Sequence, residues 1–572
     1  MSGIAGLVLR QGNSPAAATL EALVGALAHR GPDGRGHHAQ GNVALAHTRL
    51  AQHDQPGAEP PIFAGAAALV ADATTSTPGG EGEAALHLFR REGLGFAETL
   101  RGGYAIAIHD RATRRVVLAR DPFGQKPLYV AEVPGGIAFA SEAQALLAAG
   151  LVTPRLRAEA LHELLQLQFT TGAETIFQGI HRVLPGETVV LADGAVTERR
   201  RRDALPEGGP EVIGEVEALA RLDQALAEAV ALACPAGVPF GLLLSAGTNS
   251  AAVLAMLARL GLAPAATFTA SFEGADQAAG LAQAARLARA AGARHQAVSI
   301  SAAQLWRHLP QIAGCLDDPA ADYAAIATWF LARQARPQAR VLLSGAGADE
   351  LFAGHGRYRA AMRPWWLGGK TLRARGAFDK LDLLREPPTG WRDGVAAAEA
   401  AEAGHGRSRL QAAQALDMAD WLPHDVLARL DRCLAAHGVE ARAPLLYGAV
   451  AASAFRLPDA LKVRRHGGKW LLRQWLADNF PAAEPFRPRP GLGVPIGAWM
   501  AQQAERLAPL VAAQPGVAAL VRPDRLLPLF RRAAEKRAGF AAWHLLFYAL
   551  WHRRHVEGRR GEGDVFEVLG ER

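Results

Sequence analysis

The hydrophobic pattern of this 572-residue chain changes once, after about residue 200, and that change limits the folds open to it. Before it, short apolar runs are separated by Gly, Pro and Asp, which predicts strands at 4–9, 43–47, 104–108, 116–119 and 136–140. After it, apolar strands lead into helical segments, as when 241–244 leads into 245–260. That alternation is typical of a parallel sheet covered by helices. We predict two domains, 1–200 and 212–560, a β-rich sandwich and an α/β domain with a helical C-terminal part.

Composition excludes several classes of function. The three cysteines, at positions 234, 315 and 433, are too far apart for a disulfide framework or a CxxC metal site, which favours a reducing cytoplasm. The net charge of +7 comes from scattered arginines and a run at 199–202, predicted to be a solvated connection between the domains. Nucleic acid is the weaker alternative. No apolar stretch is long enough to span a membrane, so we expect a cytoplasmic protein without membrane or nucleic-acid partners.

Five motifs occur in order in the first half. They are Met-Ser-Gly-Ile-Ala-Gly at the start, His-Arg-Gly-Pro-Asp-Gly at 29–34, His-Thr-Arg-Leu at 47–50, Arg-Asp-Pro-Phe-Gly-Gln-Lys-Pro-Leu-Tyr at 120–129 and Phe-Ala-Ser-Glu at 139–142. This set resembles the glutaminase (type 2 glutamine amidotransferase) domain of glutamine-hydrolysing asparagine synthetases. The resemblance implies an N-terminal-nucleophile (Ntn) hydrolase-like αββα sandwich. Within the motif at 120–129, Arg120 and Asp121 suggest a buried pair.

The chemistry that this resemblance implies is altered. In the family, the residue after Met is a cysteine whose thiolate attacks glutamine, whereas here it is Ser2. Serine alone would leave hydrolysis open, but the Asn-Gly-Glu segment that supplies an oxyanion donor is replaced near 70–74 by Val-Ala-Asp-Ala-Thr. Losing one such donor costs about 10²–10³ in rate. Arg49, the carboxylate clamp, remains as a vestige of the glutamine site. We predict an inactive glutaminase whose motifs are kept for structure.

The second half contains a strand-to-helix loop, Leu-Leu-Leu-Ser-Ala-Gly-Thr-Asn-Ser at 242–250. It resembles the Ser-Gly-Gly-x-Asp-Ser loop with which ATP pyrophosphatases hold pyrophosphate through backbone N–H groups. Ser245, Gly247 and Ser250 match the pattern, but Ala246 and Asn249 replace Gly and Asp. We expect Ala246 at positive φ, a strain of about 1–2 kcal/mol.

Further motifs extend the resemblance over nearly the whole chain. They are Ser-Gly-Ala-Gly-Ala-Asp-Glu at 344–350, Leu-Asp-Asp-Pro at 316–319, Asp-Arg at 431–432, Val-Glu-Ala-Arg-Ala-Pro-Leu-Leu at 439–446, Lys-Trp-Leu-Leu-Arg at 469–473 and Arg-Pro-Arg-Pro-Gly-Leu at 487–492. The resemblance implies activation of a carboxylate by ATP as an acyl-adenylate, followed by amide formation.

The roles of individual residues are carried over from the resemblance. The ATP-binding set is Leu243 and Ala270 beside adenine, Ser245, Gly247 and Ser250 on pyrophosphate, and Ser344, Gly345, Asn249 and Asp349 on the rest of the nucleotide. Asp349 and Asn249 are the predicted Mg²⁺ ligands, and Asp349 and Arg489 are also predicted catalytic residues. Arg489 replaces a family lysine on the phosphates, and Ala346 replaces a loop glutamate. The carboxylate substrate is expected near Asp317, Glu440 and Arg442.

Three functional hypotheses follow. The first is an amide ligase that uses ammonia or a substrate amine instead of glutamine. It would resemble β-lactam synthetases and lasso-peptide cyclases, which have an inactive glutaminase domain and form the amide with an amine already present in the substrate. Its substrate would be a small-molecule or peptide carboxylate. The second is a catalytically impaired pseudo-synthetase that acts as a partner or regulator, for example of an active paralogue. For either hypothesis, the protein partners we expect are a second copy of the chain or a paralogue. The third is a nucleotide-binding sensor of ATP or AMP that performs no ligation.

Overall fold

The computed structural model describes residues 2–51, 61–74, 81–363, 366, 372–402, 405–464, 467–487 and 493–571. Arg489 lies outside the described residues. Within these ranges, no helix is both long and apolar enough to cross a membrane.

In the described part of residues 2–201, two six-stranded antiparallel sheets lie face to face. The strands are β1 (Ser2–Leu9), β2 (Gly34–Gln40), β3 (Val43–Arg49), β4 (Ile62–Ala64), β5 (Ala67–Ala73), β6 (Tyr104–Asp110), β7 (Arg115–Arg120), β8 (Tyr129–Val133), β9 (Gly136–Ala140), β10 (Ile180–Arg182), β11 (Glu187–Ala192) and β12 (Ala195–Arg201). The sheet orders are β10-β8-β9-β1-β3-β2 and β12-β11-β7-β6-β5-β4. The predicted strands are therefore present, with ends that differ by up to two residues.

Alternating side chains of the two sheets meet in a shared core that includes Ile4, Leu45, Ala107 and Phe139. Helices pack on both outer faces: α1 (Ala17–Ala26), α2 (Glu81–Glu92), α3 (Phe96–Thr99), α4 (Ala143–Ala148) and α5 (Ala158–Leu167). The arrangement is the predicted αββα sandwich.

Two local expectations for this half are wrong. The arginine run at 199–202 is not a connection: Arg199 to Arg201 lie on edge strand β12, where Arg199 pairs with Glu187 at 2.7 Å. Arg120 and Asp121 are both buried, but each bonds to backbone. Arg120 donates to the carbonyls of Gly124, Lys126 and Val183, and Asp121 accepts from the amides of the turn that follows it.

A parallel sheet, five-stranded within the described residues, organises the second half. Its strands are β13 (Phe240–Leu243), β14 (Ala266–Phe272), β15 (His295–Ile300), β16 (Val341–Leu343) and β17 (Glu440–Arg442), in the order β15-β14-β13-β16-β17. The strands β14 and β16 are buried along their whole length, as expected when helices cover both faces of a parallel sheet. Mixed α/β architecture is therefore confirmed.

Helices of the second half surround this sheet and continue beyond it. They are α6 (Glu215–Ala233), α7 (Thr248–Arg259), α8 (Ala278–Ala290), α9 (Ala302–Gly314), α10 (Ala324–Ala335), α11 (Ala348–Leu351), α12 (Gly356–Met362), α13 (Asp393–Glu402), α14 (Arg409–Leu416), α15 (Ala428–Ala435), α16 (Gly448–Phe455), α17 (Asp459–Lys462), α18 (Trp470–Asn479), α19 (Ile496–Gln502), α20 (Ala504–Ala512), α21 (Pro515–Ala518), α22 (Leu526–Arg531), α23 (Lys536–His555) and α24 (Val565–Gly570). A π-helical segment, Asp417–Leu427, joins α14 to α15.

Candidate active site

The loops after β13 and β16 meet at the carboxyl ends of two neighbouring strands, where ligands bind in open parallel sheets. The first loop is held by its own hydroxyls. The Ser250 hydroxyl accepts from the Ser245 amide at 2.9 Å, and the Ser245 hydroxyl accepts from the Gly247 amide at 3.0 Å. Ala246 is not among the described residues with positive φ, so the predicted strain there is wrong.

Glycines let the second loop approach the first. A Cβ on Gly345 would lie 2.7 Å from Asn249 Cβ and 2.8 Å from the Ser250 nitrogen, closer than real Cβ atoms come. Gly347 has φ of +89° immediately before α11, a conformation that favours glycine. The structure thus brings together the predicted nucleotide residues Ser245, Gly247, Ser250, Gly345 and, through the first turn of α11, Asp349. Ser344 begins the second loop and donates its amide to the Arg442 carbonyl at 2.9 Å.

The loops converge on a polar triad of Asn249, Asp349 and Lys469. Asn249 Nδ2 donates to Asp349 Oδ2 at 2.6 Å, and Lys469 Nζ lies 2.7 Å from both Asp349 Oδ1 and Asn249 Oδ1. Burial alone would raise the pKa of Asp349, but the charges of Lys469 and His355, together with the hydrogen bonds that the carboxylate accepts, outweigh burial and lower it. Asp349 is therefore ionised at neutral pH.

The triad depends on a tight backbone beneath it. A Cβ on Gly354 would lie 2.1 Å from both Asp349 Oδ1 and Lys469 Cε. Lys469 itself has φ of +62° as the residue preceding α18, a left-handed conformation that is uncommon for a side-chain-bearing residue. Backbone in such regions is often found at functional sites.

The predicted adenine residues occupy the same end of the sheet. Leu243 is the last residue of β13, and Ala270 lies on the adjacent β14 with 9% of its surface exposed. The loops and Leu243 thus line one edge, consistent with a nucleotide lying across β13 and its neighbours.

The predicted substrate residues lie in closed ion pairs. Asp317 accepts from Arg432 Nε at 2.6 Å and from the Gln144 amide at 3.0 Å, and it is fully buried. Glu440 pairs with Arg442 at 2.6 Å inside β17, and both are buried. A role for these residues in substrate binding stays a prediction.

At the start of the chain, a buried charge network fills the region of the predicted glutamine site. The Ser2 amide donates to Asp72 Oδ1 at 3.0 Å, and Arg30 Nη2 pairs with Asp72 Oδ2 at 2.9 Å. Lys126 Nζ lies 3.4 Å from Asp72 Oδ1 and 4.0 Å from Glu440 Oε2. Burial opposes the charge on Lys126, but Asp72 and Glu440 together raise its pKa. Arg49 faces Ser2 across the β1–β3 pair.

The same network crosses to the second half of the chain. Arg30 Nη1 lies 2.8 Å from Glu142 and 2.7 Å from Asp431, and its side chain is fully buried. Arg432 Nη1 in turn reaches Asp431 at 2.9 Å. The motifs at 29–34, 139–142 and 431–432 are therefore joined by one set of buried ion pairs. The motifs are visible in the sequence, but neither their contact nor a role for Lys126 or Lys469 can be predicted from it.

Comparisons with known proteins match two family models to this chain. A family model described as asparagine synthase matches residues 221–553, and one described as a glutamine amidotransferase domain matches residues 1–72 and 66–201. A Mycobacterium tuberculosis protein named "Putative asparagine synthetase (glutamine-hydrolyzing)" is 32% identical over 530 residues, which cover 84% of this chain and 80% of the relative.

Asparagine synthetase (glutamine-hydrolyzing) 1 of Bacillus subtilis is 27% identical over 595 residues, with 93% of each chain covered. Among solved structures, the glutamine phosphoribosylpyrophosphate amidotransferase from B. subtilis aligns with 42% of this chain and 61% of its own at 17% identity and a TM-score of 0.26. The match of a family model to more than half of the chain and the 32% identity show that the chain belongs to the asparagine synthetase family.

Proposed function

We propose that the protein is an ATP-dependent ligase that activates a carboxylate as an acyl-adenylate and forms an amide with ammonia or a substrate amine. The observation that supports this most is the convergence of the two glycine-containing loops on Asn249, Asp349 and Lys469. Backbone amides at a strand-to-helix turn and a nearby ammonium suit the oxygens of a triphosphate. The acyl-adenylate forms when a carboxylate oxygen attacks the α-phosphorus and pyrophosphate leaves.

Magnesium fits this site as a companion of the nucleotide. Within the described residues, no group of three or more His, Cys, Asp or Glu side chains could enclose a metal. Mg²⁺ instead commonly takes one or two protein ligands and fills its octahedron with phosphate oxygens and water. Asp349 is the ionised ligand available, and Asn249 contributes an amide oxygen. When bound, the ion would neutralise charge on the departing pyrophosphate.

The charge at the vestigial glutamine site argues against an internal nitrogen supply. Hydrolysis of glutamine creates an oxyanion, which needs hydrogen-bond donors rather than a carboxylate beside it. Here Asp72, in the segment that lacks the family's Asn-Gly-Glu, accepts the Ser2 amide and pairs with Arg30. If Met1 is removed, the α-amine of Ser2 stands beside that carboxylate, which would favour the ammonium over the free base. Ammonia or a substrate amine would then be the nitrogen source.

The test is pyrophosphate release from ATP with a panel of carboxylates, with ammonium, primary amines and glutamine as separate nitrogen sources. We expect carboxylate-dependent release, amide product with ammonium or an amine, and no product or glutamate with glutamine. Amide formation from glutamine at a rate comparable with ammonium would overturn the proposed nitrogen source.

A catalytically impaired pseudo-synthetase is the second candidate. The observation in its favour is that the Lys469 ammonium already lies between the two predicted Mg²⁺ ligands, 2.7 Å from each. Such a protein would act as a homodimer, as the partner of a paralogue or as a nucleotide-binding regulator. ATP binding without pyrophosphate release for any carboxylate would support it and contradict the ligase.

A further inference from the structure

A basic cleft of about 480 Å³ lies between the two halves of the chain, away from the nucleotide loops. One wall comes from α1 and α4, the opposite wall from the end of α9, and the floor from the C-terminal end of α23 and the residues after it. Its volume is within the range of small-molecule sites. Neither the motifs nor the proposed ligase activity accounts for it.

The described residues that line the cleft include positively charged side chains and no negatively charged ones. Four arginines, Arg553, Arg554, Arg559 and Arg560, and one histidine, His29, line it, and no Asp or Glu is among the described lining residues. Two glutamines, one from each wall, add amide groups. A concave surface of this kind focuses a positive potential and attracts anions.

The four arginines differ in whether a carboxylate pairs with the guanidinium. Arg553 is held by Glu571, at 2.9 Å from its carboxylate, and Arg559 lies 3.8 Å from Glu557. In the part of the chain that the structure describes, Arg554 and Arg560 have no ion pair. The stem of Arg554 packs beside Gly314, within 3.5 Å of where a Cβ would be. Burial, and then the charge of Arg560, lower the pKa of Arg554, so the guanidinium lacks a compensating anion.

The cleft also contacts the buried network between the halves. His29 Nε2 forms a hydrogen bond with Glu142 Oε1 at 3.1 Å, and the same oxygen accepts from Arg30. An anion beside His29 would therefore lie one residue from the ion pairs that join the halves. The site is part of the domain interface rather than an isolated surface patch.

We propose that this cleft binds a small multivalent oxyanion, a polyphosphate or a polycarboxylate, chiefly through Arg554 and Arg560. The planar guanidinium fork matches both chemistries, because each presents paired oxygens. The amide of Gln144 donates to Glu142 and that of Gln311 to the carbonyls of Arg307 and His308, so the two arginines carry the recognition. This proposal does not depend on the ligase activity.

The test is calorimetric titration of the full chain at low ionic strength with pyrophosphate and, separately, with citrate. The cleft variant is Arg554→Gln with Arg560→Gln. Its matched control is Arg289→Gln with Arg307→Gln, which removes the same charge from exposed arginines outside the cleft. We expect the cleft variant to bind at least tenfold more weakly and the control to change less than twofold. The probe that binds more tightly identifies the class of ligand.

Pyrophosphate held at the nucleotide loops remains in both variants, so only the difference between them reports the cleft. Arg560 is exposed, so Arg560→Gln alone provides a variant whose folding is not at risk, checked by thermal melting. Failure of both probes to bind the wild-type protein, or equal losses in the cleft and control variants, would overturn the proposal.

Discussion

The ammonium of Lys469 lies 2.7 Å from Asp349 Oδ1, and the same nitrogen donates to Asn249 Oδ1 at 2.7 Å. One cation thus connects the residues that follow two different strands of the parallel sheet. In the proposed nucleotide complex, Lys469 can pair with phosphate oxygens while Asp349 turns to a metal ion.

Replacing Lys469 should weaken ATP binding. We expect Lys469→Ala to raise the dissociation constant for ATP at least tenfold, because charge-assisted bonds to phosphate are the strong ones at such a site, about 1.5–3 kcal/mol each. The pKa of Asp349 should also rise once its neighbouring cation is gone. Calorimetric titration with ATP measures the effect. Lys536→Ala, at an exposed position, is the control. Equal affinity in the two variants would contradict a phosphate-binding role.

Gly354→Ala should disturb the ion pair between Asp349 and Lys469. The added methyl would lie 2.1 Å from Asp349 Oδ1 and Lys469 Cε, so one of the two side chains must move. We expect weaker ATP binding together with a small change in melting temperature, because the clash involves two partly exposed side-chain ends. Gly448→Ala is the control, since a Cβ there meets no atom within 4 Å. An unchanged ATP affinity in Gly354→Ala would show that the triad does not position the nucleotide.

Asn249→Asp should lower the Mg²⁺ concentration that ATP binding requires. A second carboxylate beside Asp349 adds a charged oxygen ligand, which Mg²⁺ prefers over an amide. The measurement is the Mg²⁺ concentration at half-maximal ATP binding, expected to fall at least tenfold. Asn13→Asp changes the net charge equally at an exposed position and should leave that concentration unaltered. A variant with no altered Mg²⁺ requirement would place the ion elsewhere.

Asp72→Ala should destabilise the whole chain strongly. It leaves the buried charges of Arg30 and Lys126 with one partner fewer, and breaking a buried pair in this way costs about 3–5 kcal/mol. Asp524→Ala removes a carboxylate that is 73% exposed and paired with Arg525, and should cost at most about 1 kcal/mol. Urea unfolding monitored by fluorescence compares them. Similar stabilities for the two variants would mean that the network contributes little.

Lys462 should make stability depend on pH in the alkaline range. Its ammonium is buried, donating to Gln414 Oε1 at 2.9 Å and the Phe455 carbonyl at 2.6 Å, and burial lowers its pKa to about 7 from 10.5. Between those values the unfolded chain binds more protons than the folded one, so the contribution of Lys462 to the free energy of unfolding rises with pH. The slope should be roughly 1 kcal/mol per pH unit.

The measurement for Lys462 is the difference in unfolding free energy between the wild type and Lys462→Met at pH 7, 8 and 9. We expect the difference to shift steadily in favour of the wild type as pH rises. Lys536→Met, at an exposed lysine, should show no such trend. A constant difference for Lys462→Met across the range would mean that its folded pKa is not depressed.

Much of the architecture follows from sequence, because local pattern and strand order are both recorded there. Strand β9 is predicted at its observed bounds, and the loops at 245–250 and 344–349 lie where strands turn into helices. Edge positions are harder to predict. The arginines of β12 resemble a solvated linker because an exposed edge strand and a linker can have the same composition.

The site is predicted less completely, because long-range contacts leave no local signal. Lys469 is 120 residues from Asp349, and Arg30 is 401 residues from Asp431. The sequence shows a missing Asn-Gly-Glu, but not that Asp72 meets an arginine and a lysine in the same region. The φ of Ala246 also could not be predicted, since the chain relieves the strain by adopting another backbone conformation.

The buried ion pair between Arg30 and Asp431, and the buried hydrogen bond that the Tyr129 hydroxyl donates to Asp318, have a consequence for folding cooperativity. Expressing residues 212–571 alone would leave Asp317, Asp318 and Asp431 exposed or without the partners that the first 200 residues supply. The two halves should therefore unfold in a single transition. If the first half hydrolyses no glutamine, as proposed, it would still be indispensable as half of one cooperative unit.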